Sequence, residues 1–301
     1  MYNSRQWIAE TLESALAQTW TPLEVICVDD GSGDGSPDFI RERFPSVRVV
    51  EQENQGQAVA RNRGVMEARG DVIAFLDADD IWFPGKIARQ MEVLGAHPEA
   101  AFVHSGWARP GWKGTGAGGA VVDLSFLPLA YGYFVCPSGV VVRRQRFEEV
   151  GGFRKERTGL EDRDLWARLA ERHPASMCWD VWWLYRFTPK RHLDFRLRHL
   201  RSSIDLLEDL RPVFREKYSE AVWQTVMAAQ CYRYLFYFRR DRSGEGAALT
   251  RRVLAGLDPT ARRRAYLRLY LPYLAARLKK ALSRTELFTD EPLPPDSAFL
   301  G

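Results

Sequence analysis

Between residues 23 and 76, short β-rich apolar runs alternate with helical patterns, and that alternation leaves few folds open. Leu23-Glu24-Val25-Ile26-Cys27-Val28 is a compact apolar run suited to a parallel strand buried on both faces. Ser36-Pro37 supplies a cap and a first-turn proline for a short helix ending near Phe44. Val47 to Val50 is a second strand, and Gly56 to Ala68 a helix stopped by Arg69-Gly70. Asp71 to Leu76 is a third strand, and upstream Asn3-Ser4 is placed to cap a helix carrying Ile8, Leu12 and Leu16 on one face. Strands and helices in this order predict an α/β fold: a mostly parallel, doubly wound sheet with helices on both faces.

The pattern changes twice downstream. Residues Gly106 to Gly119 are glycine-rich around Trp107 and Trp112, which predicts a loop. A strand at Gly139–Val142, a helix at Leu160–Arg172 and an aromatic run from Trp179 to Phe187 follow. Beyond residue 193 only helical spacing remains, with Leu206, Leu207, Leu210 and Phe214, then Val222, Val226, Tyr232, Leu235 and Phe236, at intervals of three and four. The expected division is an α/β domain over residues 1–192 and a C-terminal α-helical appendage over 193–301.

Composition narrows the setting. The four cysteines, Cys27, Cys136, Cys178 and Cys231, are scattered without a C-x-x-C pair, as expected of reduced thiols with neither disulfide nor zinc. No basic-then-apolar leader opens the sequence and no apolar stretch is long enough to span a bilayer, so the expected location is the cytoplasm. The net charge of +4 is unevenly placed: residues 251–284 hold ten Arg or Lys and one acid, Asp258.

Three acidic constellations carry chemistry. Phe75-Leu76-Asp77-Ala78-Asp79-Asp80 puts carboxylates at the C-terminal end of an apolar strand, the edge where open α/β sheets bind ligands. Strand alternation lets Asp77 and Asp79 point the same way, toward a hard cation such as Mg²⁺ or Mn²⁺. A solvated acidic turn has the same look. A second acidic strand end, Asp29-Asp30-Gly31-Ser32, makes coincidence harder to sustain, since carboxylates there can accept hydrogen bonds from a base or ribose. The third is Gly159-Leu160-Glu161-Asp162-Arg163-Asp164-Leu165-Trp166; on its own it reads as acids decorating a helix N-terminus.

Together these motifs resemble the family 2 glycosyltransferases, which have the GT-A fold. Tyr2-Asn3, Val28-Asp29-Asp30-Gly31-Ser32, Asn54-Gln55-Gly56 with Ala60-Arg61-Asn62-Arg63-Gly64, the Asp77–Asp80 element, Val150-Gly151-Gly152-Phe153 and Glu161–Trp166 follow in the family's order over roughly residues 2–190. The resemblance implies an inverting, metal-dependent glycosyltransferase of hexosyl type, acting in cell-surface polysaccharide assembly. Asp30, with Asp29 beside it, would read the nucleobase, usually uracil, and Tyr2 would stack on it. Arg61 would neutralise part of the diphosphate. Asp77 would reach the ribose or a metal-bound water, and Asp79 would ligate Mg²⁺ or Mn²⁺ directly. Asp162 would be the general base, with Glu161 positioning the acceptor, a glycan or lipid-linked hydroxyl. Trp166 reads as helix core.

Two departures qualify the match. The family's first apolar strand, ending in Pro-x-Tyr-Asn and flanked by the strands containing Val25 and Ile73, would precede Met1; the expectation is that the natural protein begins upstream. The histidine that follows a Tyr-Arg pair in many members is replaced after Tyr185-Arg186-Phe187 by Thr188, with His192 four residues on.

In the basic tail, Leu267, Tyr270, Leu271, Leu274, Leu278 and Leu282 form an apolar stripe among Arg262, Arg263, Arg264, Arg268, Arg277, Lys279 and Lys280. It suits either packing on the preceding helices or lying on an anionic membrane through residues 262–284. Nucleic acid is not expected, because no reader motif accompanies the charge. The alternative to an enzyme is a catalytically silent nucleotide-sugar-binding protein or a truncated fragment. A sugar nucleotidyltransferase would show a glycine-rich basic triphosphate loop near its start, which this sequence lacks.

Overall fold

The computed structural model describes residues 1–111, 119–131, 135–157, 159–186, 193–240 and 243–271. The first helix, α1, spans Ile8–Leu16 and buries Ile8, Thr11, Leu12 and Ala15. It starts four residues after Ser4, whose carbonyl accepts from Trp7 N and Ile8 N, so Asn3-Ser4 does not cap it by side chain. Leu16 is 41 % exposed. Eight helical positions overshoot two turns by roughly 80°, which rotates Leu16 off the Ile8–Leu12 face and brings Ala15 onto it.

Strand β1 (Ile26–Asp29) pairs in parallel with β2 (Arg48–Glu51), with α2 (Ser36–Arg43) between them in sequence. Helix α3 (Gln57–Glu67) then leads to β3 (Val72–Ala74). There follow β4 (Ile81–Trp82), α4 (Lys86–Ala96), β5 (Phe102–Ala108), β6 (Val121–Leu124), α5 (Phe126–Tyr131), β7 (Val140–Arg143), α6 (Arg144–Glu149), α7 (Glu161–Arg172) and β8 (Ala175–Leu184). The larger sheet runs β3-β7-β5-β8-β4, with β6 also on β8.

The α/β class is as expected, but the strand directions are mixed. Among the described pairings β1–β2 and β5–β8 are parallel, while β3–β7, β5–β7, β4–β8 and β6–β8 are antiparallel. The β1–β2 pair is a sheet of its own among the described residues. Beside β1, Met1 N donates to Val28 O (2.5 Å) and Met1 O accepts from Asp30 N (2.9 Å).

Strand β5 shows how the sheet serves two helical layers. Successive side chains of a strand point to opposite faces. Phe102 meets Trp166 of α7 (ring centroids 5.1 Å apart), while Val103 joins a core with Val93 and Leu94 of α4. The loop expected from Gly106 is therefore corrected over its first residues: Gly106, Trp107 and Ala108 belong to β5 and pair with β8. Gly106 marks a close backbone approach, since a Cβ there would come within 2.9 Å of Asp180 O. Trp112 lies outside the described residues.

The chain divides into two compact units: Met1–Leu124 with Val135–Phe187, and Ser125–Phe134 with Thr188–Thr285. The second is helical: α5, α8 (Leu193–Asp209), α9 (Arg211–Lys217), α10 (Glu220–Arg240), α11 (Gly244–Ala255) and α12 (Pro259–Ala265). Helix α10 carries its core, with Val222, Trp223, Val226, Met227, Cys231 and Phe238 buried and Trp223 Nε1 donating to Leu207 O. Ser243 caps α11 and Asp258 caps α12 through their side chains, the residue types that suit this position. Ala261, Ala265 and Leu269 form the buried face at the end of the described chain, while Tyr266, Leu267 and Leu271 are exposed. Leu267 and Leu271, read in sequence as part of an apolar stripe, thus face outward; Leu274, Leu278 and Leu282 lie outside the described residues. All four cysteines are free and buried.

Candidate active site

Past β3 the chain turns through Asp77-Ala78-Asp79-Asp80, with Asp80 N donating to Asp77 O (3.0 Å). Three elements fasten this turn. Thr11 Oγ1 of α1 lies 3.0 Å from Ala78 O and 2.9 Å from Asp80 O. Ser138, in the short turn Pro137–Gly139, donates from Oγ to Asp80 Oδ2 (2.5 Å) and accepts from Asp77 N (3.0 Å). Arg186 N donates to Asp80 Oδ1 (3.1 Å). Asp80 is fully buried. Burial, with the charge of Asp77 added, pushes its carboxyl up to about 8. Burial and Asp77 raise Asp79 too, and burial drives the Cys136 thiol well above its ordinary value.

Asp77, Asp80 and Cys136 each offer a ligand atom, all within 4.8 Å of one another. Groups held where their negative forms are disfavoured are relieved by a cation, so this donor set fits a divalent metal. Two carboxylates suit Mg²⁺ or Mn²⁺, and the sulfur adds a softer donor. Among the described residues Asp80 and Cys136 offer ligand atoms that meet Asp77, and Asp79 lies close enough to feel the charge of Asp77. His192, the sequence candidate for completing a metal shell, lies outside the described residues.

Helices α3 and α7 close on Asp77 from the other side. Arg61 of α3 pairs with Asp77 Oδ1 through Nη2 (2.7 Å) and with Glu161 Oε1 through Nη1 (3.1 Å). Its guanidinium carbon sits 5.4 Å from the Phe153 ring centroid. Burial works against its charge, but Asp77 and then Glu161 and Asp162 outweigh that and strengthen its hold on the proton. Glu161 is buried, accepting also from Gln57 Nε2 and, through Oε2, from Gly159 N (2.7 Å). Asp162 stands next to this pair in the first turn of α7. Burial and the adjacent Glu161 raise its carboxyl to about 7, with Arg61 opposing. A carboxylate tuned there is suited to proton transfer near neutrality.

The β1 loop is already hydrogen-bonded. Asp29 is buried and accepts from Ser32 N (2.9 Å) and Ser32 Oγ (2.5 Å). Asp30 accepts from Gln52 Nε2 (2.7 Å), Gln55 N (2.9 Å) and Gly56 N (2.9 Å). Three of the roughly four lone-pair sites of the Asp30 carboxylate are thus occupied in anchoring the entry to α3. Tyr2 is 55 % exposed at the same edge. Trp166 is core, its Nε1 donating to Val135 O (3.0 Å).

Four residues without an assigned role in the sequence reading belong to this constellation: Ser138, Cys136, Gln57 and Asn62. The first two come from a turn with no pattern of its own. Asn62 was visible inside Ala60-Arg61-Asn62-Arg63-Gly64, and its side chain receives Phe153 N (2.9 Å) and donates to Phe153 O (2.8 Å).

Residues 1–116 match the family model described as glycosyl transferase family 2. An uncharacterized glycosyltransferase of Nostoc sp. is 41 % identical over 107 residues, 34 % of this chain and 33 % of that protein. A putative teichuronic acid biosynthesis glycosyltransferase of Bacillus subtilis, TuaG, is 38 % identical over 120 residues, 38 % of this chain and 46 % of that protein. The aligned stretches thus span between a third and a half of these relatives. Among solved structures, S. aureus TarS in complex with UDP-GlcNAc superposes with a TM-score of 0.66 at 17 % identity, covering 94 % of this chain and 86 % of that one. A Pyrobaculum calidifontis mannosyltransferase in complex with GDP-Man and Mn²⁺ gives 0.56 at 20 % identity, covering 95 % and 86 %.

Proposed function

We propose that the chain is an inverting hexosyltransferase, a reading supported by the match of residues 1–116 to the glycosyl transferase family 2 model and by the GT-A-like fold. It takes its sugar from a nucleoside diphosphate donor, with uridine as the expected base. The acceptor is a hydroxyl of a glycan or lipid-linked intermediate in cell-surface polysaccharide assembly. The observation that carries this reading is the meeting of Asp77, Arg61, Glu161 and Asp162 from three separate segments.

Asp162 takes the acceptor hydroxyl's proton while that oxygen bonds to the anomeric carbon. The bond from that carbon to the diphosphate breaks, its electron pair leaving with the nucleoside diphosphate. One base opposite the leaving group gives inversion. Asp77, Asp80 and Cys136, with Asp79 adjoining, would hold a divalent metal. When bound, the metal stabilises charge on the departing diphosphate. Asp29, Asp30 and Tyr2 line the edge assigned to the base.

No described helix is long and apolar enough to cross a membrane. The outward Tyr266, Leu267 and Leu271, among Arg263, Arg264 and Arg268, support peripheral contact with an anionic, cytoplasmic leaflet. Flotation with phosphatidylglycerol vesicles, lost when Arg262–Arg264 are reversed to Glu, tests it; unchanged flotation ends it.

The test of activity is nucleoside diphosphate release from a panel of UDP- and GDP-sugars with Mn²⁺. The expected result is release with one donor class, lost in Asp162→Asn although the nucleotide still binds. Binding without turnover of any donor by the unmodified chain would favour the silent binding protein.

A further inference from the structure

We infer that Arg61 is a built-in counter-ion for Asp77 that disfavours a divalent cation there in the absence of nucleotide and yields to it only when a nucleoside diphosphate is bound. The inference rests on the donor reading above and adds an order of events to it.

Asp77 has two oxygens with different neighbours. Oδ1 is held by Arg61 at 2.7 Å, while Oδ2 lies 3.9 Å from Cys136 Sγ, on the side of the metal-fitting group. Arg61 is only 14 % exposed at its side chain and Asp77 30 %, so water screens this pair incompletely. A dication on Asp77 would sit one carboxylate away from a fixed guanidinium. That arrangement places like charges together in a poorly screened pocket, and Arg61 is tied to the buried Glu161 as well.

A diphosphate changes the balance. Its anionic oxygens would replace Asp77 as partners of Arg61 and leave Asp77 available to the cation. Glu161 keeps the other guanidinium nitrogen in place during the exchange, because Gln57 and Gly159 N hold it independently. Arg61 therefore belongs to the cation's affinity as much as the carboxylates do. The coupling is reciprocal: whatever factor the nucleotide adds to cation affinity, the cation adds to nucleotide affinity.

The experiment is a Mn²⁺ titration followed by electron paramagnetic resonance of free Mn²⁺, on the unmodified chain, Arg61→Gln and Arg61→Lys, each without nucleotide and with saturating UDP or GDP. Without nucleotide, Arg61→Gln should bind Mn²⁺ at least about tenfold more tightly than the unmodified chain. Arg61→Lys, which keeps the charge, should not. Equal or weaker Mn²⁺ binding by Arg61→Gln overturns the inference, as does Arg61→Lys behaving like Arg61→Gln. Failure of all three to bind Mn²⁺ with either nucleotide instead overturns the donor reading itself. The unmodified chain gives a second measurement that needs no folded variant. The Arg61 Nε–H resonance should stay put with Mg²⁺ alone and move with nucleotide plus Mg²⁺; movement with Mg²⁺ alone refutes the proposal.

Discussion

Asn62 and Phe153 exchange a pair of hydrogen bonds, the Asn62 amide receiving Phe153 N at 2.9 Å and donating to Phe153 O at 2.8 Å. One side chain thereby fixes the backbone of the turn that delivers Phe153 beneath Arg61. Each such bond contributes about 1 kcal/mol, and the backbone groups left behind add to the loss. Asn62→Ala should cost about 2–3 kcal/mol in urea unfolding; a loss under about 0.5 kcal/mol would show the pair to be dispensable.

The two glycines of that turn should behave differently. Gly151 (φ 76°) has open space where a Cβ would go, so Gly151→Ala should cost only the left-handed backbone preference, about 1–2 kcal/mol. At Gly152 (φ 68°) the same methyl would lie 2.7 Å from Asn62 Oδ1 and 3.0 Å from the Phe147 ring. Gly152→Ala should be the worse of the two by at least about 1 kcal/mol. Equal midpoints in denaturant would contradict the packing.

Asp162 carries the pH dependence. Its carboxyl, raised to about 7 by burial and Glu161, is largely protonated at pH 6 and ionised at pH 8. Only the ionised form accepts a proton, so kcat/KM should climb as pH rises through about 7. Stability moves the other way. The unfolded chain's Asp titrates near 4, so between roughly 4 and 7 the folded state binds more protons and stability falls as pH rises. Asp162→Asn should remove its share of that fall, leaving the share of Asp80, which burial also raises, while lowering transfer by about a hundred- to ten-thousand-fold. A variant that keeps both the pH profile and the rate would remove Asp162 from the base role.

Ser138 should govern metal affinity without touching the metal. It links Asp80 Oδ2 to Asp77 N, and partners of metal-holding groups typically contribute ten- to a hundred-fold in affinity. Ser138→Ala should raise the Mn²⁺ concentration needed for half-maximal donor binding by about tenfold. Calorimetry with the nucleotide present measures it, and an unchanged requirement would mean the turn is held by Thr11 and Arg186 alone.

The α/β class was readable because apolar strands and acidic strand ends are local signals. Asp77 and Asp162 each stand at the boundary of an element that periodicity locates. What periodicity does not carry is the pairing of distant segments. The direction of β7 against β5, the arrival of Cys136 and Ser138 beside Asp77, and the engagement of Asp30 with Gln52, Gln55 and Gly56 depend on contacts far apart in sequence. Gly106 misled for the reverse reason. Glycine suits a loop, yet here its missing side chain admits the β8 backbone.

Arg168 bears on how this chain would be re-engineered. Held by Asp164 Oδ2 at 2.6 and 2.9 Å, its guanidinium reaches back to Val150 O (2.5 Å) and Gly152 O (2.7 Å). The helix bearing Asp162 and the double-glycine turn are therefore joined through Arg168, and Asn62 of α3 holds the same turn from outside. A chimera that swaps acceptor preference by grafting a relative's helix at residue 159 would cut through that joint. A graft beginning before residue 144 would carry the joint intact.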